Sequence, residues 1–191
     1  MLYIKFNVQN KLKYEDFKKL YNYLDSIRQP DFQFEEEELV FDWDNMSDEE
    51  MQDAFRKMED AVDSEKQELK RYQENIPVYA NSFFEEYFKI DNTKLGNLGV
   101  QEVLSIFNYL EFGFEVNFNG LEKINNYSLI KFSTGNYPFG GIERFLITLK
   151  SFELNPFECF DGFSVNEISW NSNFDYSMIE DKEQTKIYLK K

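Results

Sequence analysis

A single acidic segment, residues 31–63, constrains this chain more than any other feature of its sequence. It holds fourteen carboxylates and only two cations, Arg56 and Lys57, out of 36 acidic and 21 basic residues in the whole 191-residue chain. Carboxylates at this density must stay hydrated, because a buried charge without a partner is costly. Phenylalanine occurs 21 times, so we expect a phenylalanine-rich interior beneath an acidic surface.

Apolar residues elsewhere recur with the spacing of both helices and strands. Residues 2–8 alternate as in a strand, and apolar positions at helical spacing predict helices over residues 17–27, 100–110 and 142–152. The dipeptides Asn119-Gly120 and Asp161-Gly162 are typical of hairpin turns. The sequence therefore predicts an α+β fold, in which small, mostly antiparallel sheets with hairpins are packed by amphipathic helices.

The acidic segment is predicted to contain a strand and the start of a long helix. Residues 31–44 alternate in two registers with four consecutive glutamates between them, which a bulge or a loop would reconcile. Ser47 and Glu50 form a capping-box pattern, and a narrow apolar seam follows it. We therefore expect one long acidic helix from Asp48 to about Glu74.

Residues 76–97 interrupt these patterns and are the expected junction between two halves. Pro77, Asn92 and Gly96 break the periodicity, and the acidity falls beyond them. The N-terminal half, residues 1–75, has the predicted order β-α-β-α. The C-terminal half, residues 98–191, has the order α-β-β-α-β-β. A single continuous domain is the alternative.

Histidine is missing from the sequence and cysteine occurs once, at Cys159. Without histidine the chain cannot carry a Ser-His-Asp or Cys-His catalytic pair or a His-ligated metal, and one cysteine builds no thiolate cluster. We therefore expect no cofactor and no metal site, and we assign no catalytic residue. A lone cysteine also excludes an intramolecular disulfide, and no apolar run reaches membrane-spanning length, so the expected location is the cytoplasm.

Two motif-like patterns fail on inspection. Asp42 and Asp44 match the first ligands of a helix-flanked calcium loop, but Met46 stands where an oxygen ligand is needed. The glycine spacing of residues 135–141 resembles a phosphate-binding loop, but the Lys and the Ser or Thr of that motif are missing. A tight turn between a strand and a helix is the better interpretation.

The acidic segment is the candidate site, and we expect it to dock on a basic protein. Its field attracts cationic surfaces and repels nucleic acids and anionic membranes, so direct binding to either is not expected. The expected function is non-enzymatic: an inhibitor or immunity-type protein, with nucleic-acid mimicry as one form, acting on a toxin or a nucleic-acid-processing enzyme. The predicted contact residues are Phe34, Glu35, Glu36, Glu37, Glu38, Asp42, Trp43, Asp44, Asp48, Glu49, Asp53 and Asp60.

Three other interpretations stay open at this point. The acidic segment could be a solvated face that only keeps the protein soluble. The chain could be an accessory or oligomerisation domain, with a homodimer formed through the long helix. It could also be a carboxylate-dependent enzyme that uses an oxygen-ligated divalent metal.

Overall fold

The computed structural model describes residues 1–34, 41–62, 64–94, 104–113, 116–125, 127–134 and 142–190. Within these residues the α-helices are Lys11–Ser26 (α1), Asp48–Val62 (α2), Ser64–Asn75 (α3), Val78–Lys94 (α4), Leu104–Phe112 (α5), Ile142–Ser151 (α6) and Lys182–Tyr188 (α7). The strands are Leu2–Asn7 (β1), Val116–Ile124 (β2), Tyr127–Thr134 (β3), Asn155–Phe160 (β4), Val165–Trp170 (β5) and Tyr176–Glu180 (β6). A short 3-10 helix spans Trp43–Asn45.

The described strands form one antiparallel sheet in the order β2-β3-β1-β4-β5-β6. The first strand of the chain lies in the middle, where Ile4 pairs with Ile130 on one side and Cys159 on the other. Both halves of the sequence therefore contribute to the same sheet. The predicted α+β class is confirmed, and the predicted turn at Asp161-Gly162 joins β4 to β5.

The main core lies between one face of this sheet and the helices. Because side chains alternate along a strand, Ile4 and Phe6 of β1 point to the helical face, together with Phe132 of β3. The Phe132 ring stacks on Phe145 of α6, with their centroids 3.9 Å apart, and both rings are buried. The phenylalanine-rich interior expected from composition is thus formed by strand and helix residues outside the acidic segment.

The opposite face of the sheet carries a smaller apolar cluster covered by α7. Tyr3 and Phe160 are buried there, and the Tyr188 ring of α7 packs against both of them. Asp181 caps this helix by accepting hydrogen bonds from the backbone N–H groups of Glu183 and Gln184. Neither α7 nor β6 was predicted. Within the described residues, no helix combines the length and hydrophobicity needed to cross a bilayer.

The predicted long acidic helix is helical in all its described residues, as α2 before Asp63 and α3 after it. Its start is the predicted capping box. The backbone N–H and the hydroxyl of Ser47 each donate to Glu50 Oε2 at 2.8 Å, and the Glu50 N–H points back at the Ser47 hydroxyl oxygen at 3.4 Å. The α3 part packs against α1 and α5 and buries Tyr72 in the main core.

The segment expected to be a junction, residues 76–97, contains helix α4. Ala80, Phe84 and Phe88 of this helix are buried in the same core as the sheet. The Tyr79 hydroxyl donates to Asp16 of α1 at 2.8 Å. These contacts join α4 to elements from both sequence halves.

The predicted hairpin turn at Asn119-Gly120 is wrong. The chain continues through these residues as one strand, β2, with a bulge between Phe118 and Gly120. Leu121 remains opposite Ile130 and packs against the core, so pairing continues beyond the glycine. The chain reverses only after Ile124, where Asn125 adopts a φ of +40°.

The strand predicted over residues 31–44 is also wrong in its described parts. Residues 32–34 have no regular structure, and Trp43–Asn45 form a 3-10 helix. The aromatic residues of this segment pack against helices instead of pairing with a strand: Phe34 faces α3 and α5, and Trp43 faces α2. The positions of these aromatic residues are therefore set by packing against helices and not by the alternation of a strand. The four glutamates at 35–38 lie outside the described residues.

Candidate functional site

Phe34, near the start of the acidic segment, is held by an arginine of α3. The guanidinium carbon of Arg71 lies 4.8 Å from the centroid of the Phe34 ring and 5.5 Å from that of Phe112 in α5. The two rings are 6.1 Å apart, so the cation contacts both aromatic residues. Phe34 nevertheless keeps 43% of its surface exposed. Its ring is anchored to the folded domain and still available to a partner.

Arg71 is itself fixed by a buried carboxylate. Its Nε donates to Glu111 Oε1 at 2.6 Å and its Nη2 donates to Glu111 Oε2 at 3.1 Å. The Glu111 side chain is fully buried. The Tyr23 hydroxyl also donates to Oε1, so this carboxylate has three donors from two elements. A buried ion pair needs such hydrogen bonds, because they offset the loss of hydration.

The pKa shifts of Arg71 and Tyr23 agree with a charged guanidinium and a neutral phenol. The hydrogen bonds to Glu111 raise the pKa of Arg71, which keeps the guanidinium charged. Burial raises the pKa of Tyr23, and the nearby Glu111 carboxylate raises it further, so the phenol stays protonated and acts as a donor. The network joins α1, α3 and α5 beneath the Phe34 ring.

A second arginine fixes the point at which the chain leaves α1 for the acidic segment. Arg28 donates from Nε to the Val116 carbonyl at 2.8 Å and from Nη1 to the Leu24 carbonyl at 2.8 Å. Its Nη2 also donates to the Leu110 carbonyl. Burial lowers the pKa of Arg28, while the charge of Glu111 opposes that shift. The base of the acidic segment is therefore tied to β2 and α5.

The second described part of the acidic segment packs on α2 through aromatic rings. The Trp43 centroid lies 5.1 Å from that of Phe41 and 5.4 Å from that of Phe55 in α2. Below them Ala54 is buried. Trp43 retains 41% and Phe55 retains 57% of its surface exposed. These residues place a row of aromatic side chains on the outside of the protein.

Exposed carboxylates lie in the same part of the chain as this aromatic row. Asp42, Asp48, Glu49 and Asp53 are all exposed. Asp53 pairs with Lys57 one turn along the helix at 2.9 Å, and this hydrogen bond lowers the pKa of Asp53. The described site therefore combines exposed aromatic rings with negative charge.

A groove of about 290 Å³ runs between residues 41–46 and α2. Its apolar lining comes from Phe41, Met46 and Ala54, and its polar rim includes Glu49 and Asp53. Glu50 also lines the groove but is engaged with Ser47, whose hydrogen bonds lower the pKa of Glu50. Lys57 lines the groove as well and pairs with Asp53, so the rim carries charges of both signs.

Of the predicted contact residues, Glu49 and Asp53 line the same groove. Asp42, Trp43 and Asp48 are exposed in the same stretch of the chain. Phe34 is anchored separately, on α3 and α5. Asp44 belongs to the 3-10 helix and Asp60 to α2, but the positions of their side chains are not described. Glu35, Glu36, Glu37 and Glu38 lie outside the described residues.

Sequence reasoning did not assign Arg71, Glu111, Phe55 or Met58 to the site. Arg71 and Glu111 are far apart in the chain, and no local pattern links them. Phe55 and Met58 were recognised only as members of the apolar seam of a helix, where large residues are usually buried. The sequence did not reveal that Phe55 and Met58 stay 57% and 42% exposed on the helix surface.

Other groups with possible chemistry do not form a second site in the described residues. Cys159 is buried in β4, and burial raises the pKa of its thiol to about 12, which makes it unreactive. In the part of the chain that the structure describes, no three Cys, Asp or Glu side chains are grouped so that they could hold a metal ion. No protein-family model, curated protein or solved structure matches the chain.

Proposed function

We propose that this chain is a non-enzymatic acidic binding protein that docks on a basic surface of another protein. The partner is a toxin or a nucleic-acid-processing enzyme, and the chain acts as its inhibitor or immunity-type protein. The observation that carries this proposal is the exposed Trp43 and Phe55 pair in a segment whose carboxylates Asp48, Glu49 and Asp53 are exposed as well. We place this interaction in the cytoplasm, since a single cysteine leaves the chain without an intramolecular disulfide.

The charge of the site favours a cationic partner that handles nucleic acids. Proteins of that kind carry clefts lined with Lys and Arg that neutralise phosphates. Carboxylates on α2 and on residues 41–46 would occupy the positions of phosphates in such a cleft. The excess negative charge of the chain, a formal −15, would also accelerate the encounter at low salt.

The aromatic residues add contact energy that charge alone does not supply. Residues that dominate protein interfaces are most often Trp, Tyr and Arg, and they lie at the centre of the contact within a rim that excludes water. Trp43 and Phe55 are exposed and contact each other, so both are available for such a contact. We therefore assign the acceleration of the encounter to the carboxylates and the binding energy of the contact to the Trp43 and Phe55 rings.

The test begins with affinity capture from the native host, using the full chain as bait. Association of the captured protein is then measured across a salt series with a variant in which Asp48, Glu49 and Asp53 are changed to their amides. We expect slower association and a flatter salt dependence. Added duplex DNA should compete with the chain for the partner, while the chain alone should leave the anisotropy of labelled DNA unchanged.

The matched control neutralises three exposed carboxylates elsewhere, Glu167, Glu180 and Glu183. This variant should associate like the unmodified chain. Equal salt dependence in both variants would contradict the assignment of the docking site to α2. A captured partner with which DNA does not compete would contradict the nucleic-acid-related part of the proposal.

A further inference from the structure

Three large apolar side chains form a continuous exposed stripe on α2 and beside it. We call Trp43, Phe55 and Met58 the apolar stripe. The Trp43 ring contacts Phe55 with centroids 5.4 Å apart, and Phe55 and Met58 are three residues apart, which makes them neighbours on the helix surface. Their exposed fractions are 41%, 57% and 42%. Exposed apolar clusters with a polar rim mark interaction sites more often than isolated exposed residues do.

The rim of the apolar stripe is acidic on the same helix face. Asp48 lies two turns before Phe55 and Glu59 lies one turn after it, so all three project from one side of α2. Asp48 and Glu59 are exposed. Neither carboxylate has an ion-pair partner among the described residues. A partner with apolar side chains alone would leave these charges unpaired at the edge of the contact.

A second copy of this chain is a poor occupant of the stripe. The sequence of α2 contains six carboxylates and two cations, so two copies facing each other would bring like charges together. Like charges across an interface oppose association. The same argument disfavours any acidic helix. The occupant must supply both apolar side chains and cations.

We infer that the apolar stripe binds a basic amphipathic helix of the partner protein, and this inference rests on the proposed function. A helix places residues i, i+3, i+4 and i+7 on one face, which suits a stripe that runs along another helix. Its apolar face covers Trp43, Phe55 and Met58. Its Lys and Arg side chains reach Asp48 and Glu59, which project from the same side of α2 as Phe55.

Trp43 provides a direct reporter for the test, because the chain has only two tryptophans. Trp170→Phe removes the other one, and its circular dichroism should match that of the unmodified chain. Two synthetic peptides are titrated into this protein. One has Leu at i, i+3, i+4 and i+7 with Lys and Arg elsewhere, and the other has the same composition in an order that forms no apolar face.

We expect the amphipathic peptide to shift the Trp43 emission to shorter wavelength and to bind at least tenfold more tightly than the scrambled peptide. Phe55→Ser and Met58→Gln should each reduce that preference. Leu69→Gln is the matched control, because Leu69 is a similarly exposed apolar residue on α3, and it should keep the full preference.

The possible outcomes separate this inference from the proposed function. Equal affinity for the two peptides would overturn the inference and leave a surface that recognises charge only. Failure of both peptides to bind at low salt would contradict the proposed function itself. Sedimentation of the chain as a dimer that Phe55→Ser dissociates would identify a second copy as the occupant and overturn the inference.

Discussion

Removal of the Arg71 guanidinium should destabilise the protein more than its partial exposure suggests. Arg71→Met keeps an unbranched apolar stem between the Phe34 and Phe112 rings but removes both hydrogen bonds to Glu111. The Glu111 side chain is fully buried, so water cannot replace the lost partner, and only the Tyr23 hydroxyl remains. Breaking a buried ion pair from one side costs about 3–5 kcal/mol.

The expected free energies follow from which groups are left unpaired. Arg71→Met should lower the free energy of unfolding by about 3–5 kcal/mol. The double variant Arg71→Met/Glu111→Leu removes the buried charge as well, and only the Tyr23 hydroxyl then lacks an acceptor, at a cost of about 1–3 kcal/mol. The double variant should therefore be more stable than Arg71→Met alone, a non-additivity that marks a direct interaction.

Urea unfolding followed by circular dichroism measures these differences, provided that the slope of the transition is unchanged. Lys57→Met is the control, because Lys57 belongs to an exposed pair with Asp53, and its unfolding midpoint should not change. If Arg71→Met unfolds at the same urea concentration as the control, or if the double variant is less stable than the single one, the described burial of Glu111 is wrong.

Three further predictions concern the core and its connections. Phe107→Ala should lower the free energy of unfolding in urea by about 3–5 kcal/mol, because Phe107 is only 2% exposed. An unchanged unfolding midpoint would show that α5 does not belong to the core. Gly113→Ala should lower the melting temperature, because its Cβ would lie 2.2 Å from the Tyr109 carbonyl oxygen and 2.9 Å from Val116 Cγ2; normal melting would show that this connection is looser than described. Burial raises the pKa of Cys159 to about 12, so the thiol of the folded protein stays protonated at pH 8. A disulfide reagent should therefore label Cys159 in urea but not in the folded protein. Rapid labelling without denaturant would contradict the burial of Cys159.

Elements with strong local periodicity were predictable from the sequence. Apolar spacing predicted α6 and most of α1, although α1 begins at Lys11, six residues before the predicted start. The capping box at Ser47 and Glu50 located the start of α2. In these regions the local preference and the tertiary packing favour the same structure. Helix α7 escaped prediction because Thr185 is its only buried residue, so it has no apolar stripe.

Turns and the site required information that is not local. Asn-Gly is a strong turn signal, but pairing of Leu121 with Ile130 holds the chain in β2 beyond Gly120. The exposure of the described carboxylates in the acidic segment was predictable because charge resists burial. The anchor of Phe34 was not, because Arg71 and Glu111 meet only when α3 packs against α5. Sequence reasoning therefore indicated exposed carboxylates but not the residues that hold Phe34 in place.

The central position of β1 has a consequence for how the chain is made. Both strands that pair with β1 come from the second half of the sequence, so β1 is synthesised well before its neighbours exist. Pairings between distant residues slow folding, because the loop must close before the contacts form. Ile4 and Phe6 stay without their sheet until β3 and β4 have been synthesised. During that interval the highly charged residues that follow α1 would keep the nascent chain hydrated and oppose its aggregation with other nascent copies.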